Sequence, residues 1–216
     1  MNSSNISSIS VTEQSRLAIG TLAKPQVQLI LSGKRKCGKD FLEHLIFNRF
    51  SNKILSFRIS GPIKAAFANK HGLNLTELLG ASQYKEQYRK KMVQWSEQVR
   101  QTDPHYFLRL AILEAYEAGG DKPIWLLNDA RRPTDLQYFN DSSEIDMSKT
   151  RVVKLRIVST EQTRMKRGWI FTEGIDDQTT ECGLDHITDW DYIIENNGTK
   201  EELLVKMESI FQFINK

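Results

Sequence analysis

One stretch of the sequence decides the fold, and it reads Val27-Gln28-Leu29-Ile30-Leu31-Ser32-Gly33-Lys34-Arg35-Lys36-Cys37-Gly38-Lys39-Asp40. Its first part is a short run of mostly apolar residues, which predicts a parallel strand buried on both faces. Its second part has the spacing G-x-x-x-x-G-K, and apolar residues then recur at helical spacing from Phe41 to Phe50. A strand, a glycine-rich turn and a helix in this order predict a phosphate-binding loop, called the phosphate loop (residues 33–40) below.

The residue types of the phosphate loop suit phosphate oxygens. Its glycines let backbone N–H groups turn inward, and the N-terminus of the following helix adds the positive end of its dipole. Lys39 is predicted to reach the β- and γ-phosphates of a nucleotide. Asp40 replaces the usual Ser or Thr, and its carboxylate could bind Mg²⁺ directly or through water. The residues predicted to bind nucleotide here are Gly33, Lys34, Arg35, Lys36, Cys37, Gly38, Lys39 and Asp40.

The basic run from Lys34 to Lys36 has alternative interpretations. A solvated basic turn and an RNA-binding patch would both place three cations in a loop. Because this loop is also predicted to wrap phosphate, we favour neutralisation of two phosphorylated ligands.

Strands alternate with helices along the rest of the chain. The sequence predicts further strands at residues 54–59, 124–127, 152–158 and 191–194, separated by amphipathic helices. This alternation predicts an α/β fold of three layers, a P-loop kinase fold with a five-stranded parallel sheet and helices on both faces. Residues 25–216 are assigned to this domain, and the Ser- and Asn-rich residues 1–24 are predicted to be a disordered tail.

Local signals place several helices. The stripe Tyr84, Tyr88, Met92, Trp95 and Val99 predicts a long helix whose apolar face packs in the core. Asp103-Pro104 predicts the start of the next helix, with Asp as N-cap and Pro in the first turn. Thr199 and Glu202 form a capping box for the last helix.

The third strand is followed by charged residues that suit phosphate transfer. Asp129 stands where a carboxylate would hold Mg²⁺ or its water, and Arg131 and Arg132 suit a bidentate grip on phosphate. A solvent-exposed arginine pair is the alternative. Residues 159–185, called the lid segment below, contain a basic helix ending at Arg167-Gly168 and are predicted to form a mobile lid over ATP, with an ordinary surface helix as the alternative.

Composition excludes several classes of protein. The 216 residues carry 30 basic and 27 acidic side chains, so the net charge of +3 is too balanced for a dedicated DNA-binding protein. The two cysteines, Cys37 and Cys182, indicate reduced thiols in a cytosolic protein. No apolar run approaches the ~20 residues of a membrane span. We therefore expect no nucleic-acid or membrane partner.

Motifs spread over most of the chain from Val27 onward are similar to those of the animal-type phosphomevalonate kinases. They include Ser32 to Asp40, Arg58-Ile-Ser-Gly-Pro-Ile-Lys64, His71-Gly-Leu-Asn74, Tyr84-Lys85, Arg100-Gln-Thr-Asp-Pro104, Ile124 to Arg132, Arg167-Gly-Trp-Ile-Phe-Thr172, Glu181-Cys-Gly-Leu-Asp185 and Ile194-Glu-Asn196. The resemblance implies a nucleoside-monophosphate-kinase-like fold. It also implies transfer of phosphate from ATP to mevalonate 5-phosphate, giving mevalonate 5-diphosphate in isoprenoid and sterol synthesis.

The resemblance also implies roles for individual residues. Lys36, Lys39, Arg131 and Arg132 are expected to be catalytic, and Arg167, Asn196 and Asn197 are expected to contact ATP. Mg²⁺ is the expected cofactor, with Asp40 and Asp129 as its ligands. Cys37 departs from the family pattern, which has Ser there. The residues expected to bind the acceptor are Arg58, Ser60, Lys64, Arg100, Arg131 and Arg132.

Other functions remain open on the residues alone. A nucleoside monophosphate kinase would share the fold and would phosphorylate AMP, CMP, UMP or dTMP. A GTP-binding switch would need Ser or Thr at position 40 and an Asn-Lys-x-Asp signature, and the sequence has neither. The expectation from sequence is therefore a cytosolic, monomeric small-molecule kinase that binds ATP and mevalonate 5-phosphate.

Overall fold

The protein is built on a five-stranded parallel sheet, as seen in a computed structural model that describes residues 11–80 and 83–215. The strand order is β2-β3-β1-β4-β5, so the strand that leads into the phosphate loop is central. This arrangement confirms the predicted α/β fold. The strands are β1 Val27–Ser32, β2 Ile54–Phe57, β3 Ile124–Ala130, β4 Arg151–Val158 and β5 Tyr192–Glu195.

Helices connect the strands and cover the sheet. A single 3₁₀ turn, Ser51–Lys53, precedes β2. The helices of the described residues are α1 Val11–Thr21, α2 Lys39–Phe50, α3 Ser60–His71, α4 Leu75–Leu79, α5 Gln83–Thr102, α6 Tyr106–Gly119, α7 Pro133–Asp141, α8 Glu161–Lys166, α9 Thr179–Cys182 and α10 Lys200–Ile214.

Two hydrophobic clusters lie on opposite faces of the sheet. Helices cover both faces, which gives the three predicted layers. On one face, α2 and α10 pack against alternate residues of β1, β3 and β4. On the other face, α6 and α7 pack against the remaining residues of β1, β2 and β3. Because both faces are covered, every residue of β1 and of β3 is buried, which explains their nearly continuous apolar runs.

The prediction of a disordered tail is wrong for residues 11–24, while residues 1–10 lie outside the described residues. Residues 11–21 form α1, which packs on α6 and buries Ile19 completely. The hydroxyl of Ser15 accepts a hydrogen bond from Arg109 Nε at 3.1 Å, and Arg16 Nε lies 2.9 Å from Glu144 Oε1. These partners are distant in sequence, so the polar composition of the segment gave no sign of them.

The predicted helix signals are partly confirmed. The apolar stripe on α5 packs in the core, and Thr199 and Glu202 form the capping box of α10. The predicted start at Asp103 is wrong, because α6 begins at Tyr106. The Asp103 carboxylate forms an ion pair with the fully buried Arg109, so it is engaged by a side chain of α6.

The strand ends place the site. The phosphate loop follows β1, and the neighbouring β2 and β3 end on the same edge of the sheet. The pairing of β1 with β3 shifts between Ile30 and Ser32, so that β3 carries one extra residue there. Such bulges re-aim side chains next to active sites, and this one adjoins Asp129.

Candidate active site

The two glycines of the phosphate loop are required by close contacts. A Cβ at Gly33 would lie 2.6 Å from Ile157 Cγ2 and 2.8 Å from the Ile157 carbonyl oxygen. Gly38 has a φ of 101°, which is a left-handed conformation, and a Cβ there would lie 2.2 Å from Asn196 Nδ2. The loop therefore closes tightly against β4 and the end of β5, as a phosphate-binding turn must.

The two lysines expected to be catalytic differ in placement. Lys36 is exposed on the loop with a φ of 61°, an unusual conformation for a residue with a side chain. Lys39 begins α2 and lines a cavity at the strand ends. Burial lowers the pKa of Lys39, and the nearby charge of Arg131 lowers it further. The charges of Asp40 and Asp129 act in the opposite direction, so Lys39 lies between one arginine and two carboxylates. Lys36 does not line this cavity.

This cavity, called the basic cavity below, has a volume of about 270 Å³. It gathers predicted residues that are far apart in sequence, including Asp40, Ser60 and Asp129. Among the described residues, nine cationic and four acidic side chains line it. The cationic ones are Lys39, Arg58, Lys64, Lys85, Arg89, Lys90, Arg100, Arg131 and Arg132.

Lys64 and Lys85 of the basic cavity have no acidic partner within ion-pair distance among the described residues. Its five arginines are each paired with an acid: Arg58 with Glu43, Arg89 with Glu86, Arg100 with Asp135, Arg131 with Glu181 and Arg132 with Glu97. Burial lowers the pKa of Lys64, and the charge of Lys85 lowers it further. Burial followed by the charge of Arg89 lowers the pKa of Lys85. Because burial and neighbouring cations both disfavour the charged forms of Lys64 and Lys85, a bound anion would stabilise those charges, so this wall of the cavity suits a phosphate group.

Two buried arginines add unmet hydrogen-bonding capacity. The Nη1 of Arg100 donates to Asp135 Oδ1 at 3.3 Å, but its Nε and Nη2 are buried without a partner. Arg132 pairs with Glu97, and its Nε is likewise buried without a partner. Buried donors left unpaired are unfavourable, and a phosphate brought against them with a small side-chain movement would satisfy them.

The residues that sequence reasoning missed lie mainly on one face of α5. Lys85, Arg89 and Lys90 line the basic cavity on the same helix as the predicted Arg100. Lys85 and Arg89 lie four residues apart, on the helical spacing that leads to Arg100, and this basic stripe is a signal that could have found them.

A second missed residue is Glu43, one turn after Lys39 on α2. Its Oε1 accepts from Ser56 Oγ at 2.5 Å and its Oε2 accepts from Asn128 Nδ2 at 2.6 Å. It also forms an ion pair with Arg58. Glu43 therefore joins α2 to the ends of β2 and β3 and holds the Arg58 guanidinium at the rim of the cavity.

The donor set suits a magnesium ion that relies on substrate phosphates. Asp40 is 75% exposed at its side chain, and it lies 3.5 Å from Arg58 Nη2 and 3.8 Å from Lys39 Nζ. Asp129 is buried, and its two oxygens accept from the backbone N–H groups of Ile59 and Ser60 at 2.7 and 3.0 Å. Among the described residues no group of three or more acidic, His or Cys side chains could hold a metal ion. Since Mg²⁺ usually takes one or two carboxylates plus phosphates and water, the two carboxylates fit it.

The opposite side of the phosphate loop holds the remaining predicted nucleotide residues. The Cys37 carbonyl oxygen accepts from Asn196 Nδ2 at 2.9 Å and from Arg167 Nη1 at 3.0 Å. Asn197 Oδ1 accepts from the Thr160 N–H at 2.8 Å. Cys37 is buried, which raises the pKa of its thiol. Arg167 and Asn196 thus contact the phosphate loop, Asn197 contacts Thr160, and none of the three lines the basic cavity.

The lid segment supplies acidic partners for this side. Lys34 Nζ lies 2.6 Å from Asp185 Oδ2, and Arg35 Nη1 lies 2.9 Å from Asp176 Oδ2. The side chains of these two predicted nucleotide-binding residues therefore point at the lid segment and away from the basic cavity.

Comparisons with known proteins agree with this geometry. A family model described as phosphomevalonate kinase matches residues 31–145, which include the phosphate loop, α5 and Arg131–Arg132. A phosphomevalonate kinase of Drosophila melanogaster is 41% identical over 170 residues, covering 78% of this chain and 87% of that protein.

A solved structure, the crystal structure of TT1252 from Thermus thermophilus, is similar with a TM-score of 0.51 and 15% identity. The match covers 88% of this chain and 98% of that one, and it supports the fold alone. No helix within residues 11–80 and 83–215 is long and apolar enough to cross a membrane. From the family model and the relative together, the chain belongs to the phosphomevalonate kinase family.

Proposed function

We propose that this protein transfers the γ-phosphate of ATP to mevalonate 5-phosphate, giving ADP and mevalonate 5-diphosphate. Family membership names the reaction. The observation that carries it to this chain is the basic cavity, where nine cationic and four acidic side chains gather around Lys39 of the phosphate loop. A kinase with an anionic acceptor needs this surplus of positive charge at the junction of its two substrates.

The two substrates would bind on adjoining parts of the site. ATP would place its phosphates in the phosphate loop, with Lys39 following the transferred group and Lys36, Arg131 and Arg132 around it. The acceptor phosphate would lie at the far wall of the basic cavity, on the α3 and α5 side chains. Those side chains are Ser60, Lys64, Lys85, Arg89 and Arg100, with Arg58 at the rim.

The chemistry needs charge neutralisation more than proton transfer. The attacking oxygen belongs to a phosphate that is already anionic near neutral pH, so in-line transfer needs no dedicated general base. Two unit charges of like sign about 4 Å apart repel by roughly 4 kcal/mol at an effective dielectric near 20. Lys39 and the arginines offset that repulsion, and they also stabilise the charge of the transition state.

We further propose that Asp40 contributes a carboxylate to Mg²⁺ and that Asp129 contacts it through water. When bound, the ion would neutralise charge on the β- and γ-phosphates of ATP. Asp129 also fixes the start of α3 by accepting two backbone hydrogen bonds, so it aligns Ser60 and Lys64 on that helix. The proposal also includes closure of the lid segment over ATP. It further includes a protein that is monomeric and cytosolic.

Coupled ADP release measures the function directly. Purified protein with Mg-ATP is offered mevalonate 5-phosphate and, separately, AMP, CMP, UMP and dTMP. Turnover of mevalonate 5-phosphate at least 100-fold above that of any nucleotide is expected. Preferred turnover of a nucleoside monophosphate would replace this proposal by the same-fold alternative.

A further inference from the structure

The carboxylate of Glu181 joins the phosphate loop to the arginine rim of the basic cavity. Its Oε2 accepts from the backbone N–H of Arg35 at 2.8 Å, and its Oε1 accepts from Arg131 Nη1 at 2.8 Å. The Glu181 side chain is 5% exposed. A carboxylate buried between a loop amide and a guanidinium is held at both oxygens, and it is shielded from the solvent screening that weakens surface ion pairs.

The backbone of the residues around Glu181 also packs against Arg131. Arg131 Nη1 also donates to the Thr180 carbonyl oxygen at 3.1 Å. A Cβ at Gly183 would lie 2.9 Å from the Arg131 carbonyl oxygen, and Leu184 is buried in the core. Helix α9 and the residues after it are therefore fitted to the end of β3, and the position of Glu181 is fixed by this fit.

Arg131 needs such an anchor because of its neighbour. Arg131 and Lys39 line the same cavity, and the charge of Arg131 contributes to the lowered pKa of Lys39. Two cations that repel in this way separate unless a fixed anion retains one of them. Within the described part of the chain only the Nη1 nitrogen of Arg131 donates a hydrogen bond, so its Nε and Nη2 stay available to a ligand.

We propose that Glu181 is a positioning residue that holds the Arg131 guanidinium beside Lys39, ready for the transferred phosphate. Its oxygens accept from the Arg35 N–H and from Arg131, and its negative charge disfavours contact with the phosphates of the substrates, so it acts through Arg131. Because Glu181 belongs to the lid segment, this ion pair makes the alignment of Arg131 depend on the lid segment being in place. The inference rests on the proposed kinase function.

Glu181→Gln tests the inference with little change of shape. The amide keeps one acceptor oxygen and presents an NH₂ group to one of the two donors, so either Arg35 N–H or Arg131 loses its partner. The expected result is a kcat for mevalonate 5-phosphate about 10- to 100-fold lower, because a misplaced catalytic group costs about this much. The KM for ATP should change less than kcat.

A double-mutant cycle separates positioning from general structural support. Arg131→Gln, Glu181→Gln and the double variant are compared by kcat. If Glu181 acts through Arg131, the double variant is no slower than Arg131→Gln alone. A double loss equal to the product of the two single losses would overturn the inference. Glu173→Gln, an exposed acid of the same segment, is the matched control and should keep wild-type kcat.

Two further measurements keep the outcomes distinct. Should Glu181→Gln fail to fold, Glu181→Asp keeps the charge one methylene further away and should show an intermediate kcat. A wild-type kcat in a folded variant of either kind overturns the inference while the kinase function stands. A wild-type protein that does not turn over mevalonate 5-phosphate overturns the proposed function, and the inference with it.

Discussion

The two sides of the phosphate loop differ in how closely their lysines are paired with acids. On the outer side, Lys34 and Arg35 are paired with Asp185 and Asp176, and Arg167 donates to backbone and side-chain oxygens. On the cavity side, burial lowers the pKa values of Lys39 and Lys64, and the charges of Arg131 and Lys85, respectively, lower them further. The difference indicates that the outer cations stabilise the fold of the loop, whereas the inner lysines are available to anionic ligands at a cost in stability.

The largest effect is expected inside the cavity, at Lys39. Lys39→Met should lower kcat by about 1,000-fold, because it removes the charge that follows the transferred phosphate. The variant should be at least as stable as the wild type, since the buried ammonium is disfavoured. Coupled ADP release and thermal unfolding measure the two quantities. Lys53→Met, at an exposed turn after α2, is the control. Near-normal turnover by a folded Lys39→Met protein would show that Lys39 is not needed for the reaction.

The next effect is expected at the acceptor wall. Lys64→Met should raise the KM for mevalonate 5-phosphate by about 10- to 100-fold, as expected for loss of a charge-assisted contact, with the KM for ATP little changed. Its melting temperature should rise, because a lysine repelled by Lys85 and disfavoured by burial is gone. Lys91→Met, an exposed lysine of α5, should change neither quantity. A lower melting temperature for Lys64→Met would contradict the proposed surplus of charge.

On the outer side of the phosphate loop, removal of a cation should lower the stability of the protein, whereas removal of a cavity lysine should not. Arg35→Met leaves Asp176 without its cationic partner, and the Asp176 side chain is 3% exposed. The Asp176 carboxylate would keep its hydrogen bonds from Trp169 Nε1 and the Thr172 N–H but lose the neutralising charge. Because a buried charge without its counter-ion is unfavourable, we expect the free energy of unfolding to fall by about 2 kcal/mol. Denaturant unfolding measures this, with the exposed Arg49→Met as control. An Arg35→Met protein as stable as the wild type would contradict the proposed difference between the two sides of the loop.

The smallest effect is a pH dependence of acceptor binding. Burial and neighbouring cations lower the pKa values of Lys64 and Lys85. As pH rises through these lowered values the lysines lose their charge, so the KM for mevalonate 5-phosphate should increase several-fold. Over the same interval the unfolded chain binds more protons than the folded one, so the free energy of unfolding should rise with pH.

The pH profile of kcat/KM for the acceptor measures this effect. In Lys64→Met and Lys85→Met the alkaline decline should be weaker than in the wild type. An unchanged decline in both variants would assign it to another group.

Much of the site could be predicted from sequence because its motifs are local. The phosphate loop, Asp129 and Arg131–Arg132 follow directly from strand ends, and all strand C-termini of a parallel sheet meet at one edge. Arg100 was found through the family resemblance, whereas Lys85 and Arg89 on the same helix were missed. Their spacing on α5 was visible, but only packing shows which face of a helix borders a cavity.

The predictions failed at two segments where buried side-chain contacts outweigh the local sequence signals. Asp103-Pro104 has the local chemistry of a helix start, yet the Asp103 carboxylate pairs with Arg109 and the helix begins at Tyr106. The segment around Ile19 has the polar composition of a tail, yet it packs on α6 and contacts Arg109 and Glu144. Local sequence preferences contribute little free energy, so such buried contacts override them.

By itself, the sequence determined the fold class, the phosphate loop and, through the family resemblance, the reaction, because strand–loop–helix spacing and motif order are properties of the chain alone. Only the tertiary structure decided which cations face the ligands and which are paired with acids. Lys34, Arg35, Lys36 and Lys39 are indistinguishable as charges in the sequence. Their roles separate only when Asp176, Glu181 and Asp185 approach from more than 130 residues away, because electrostatic pairing depends on distance in space.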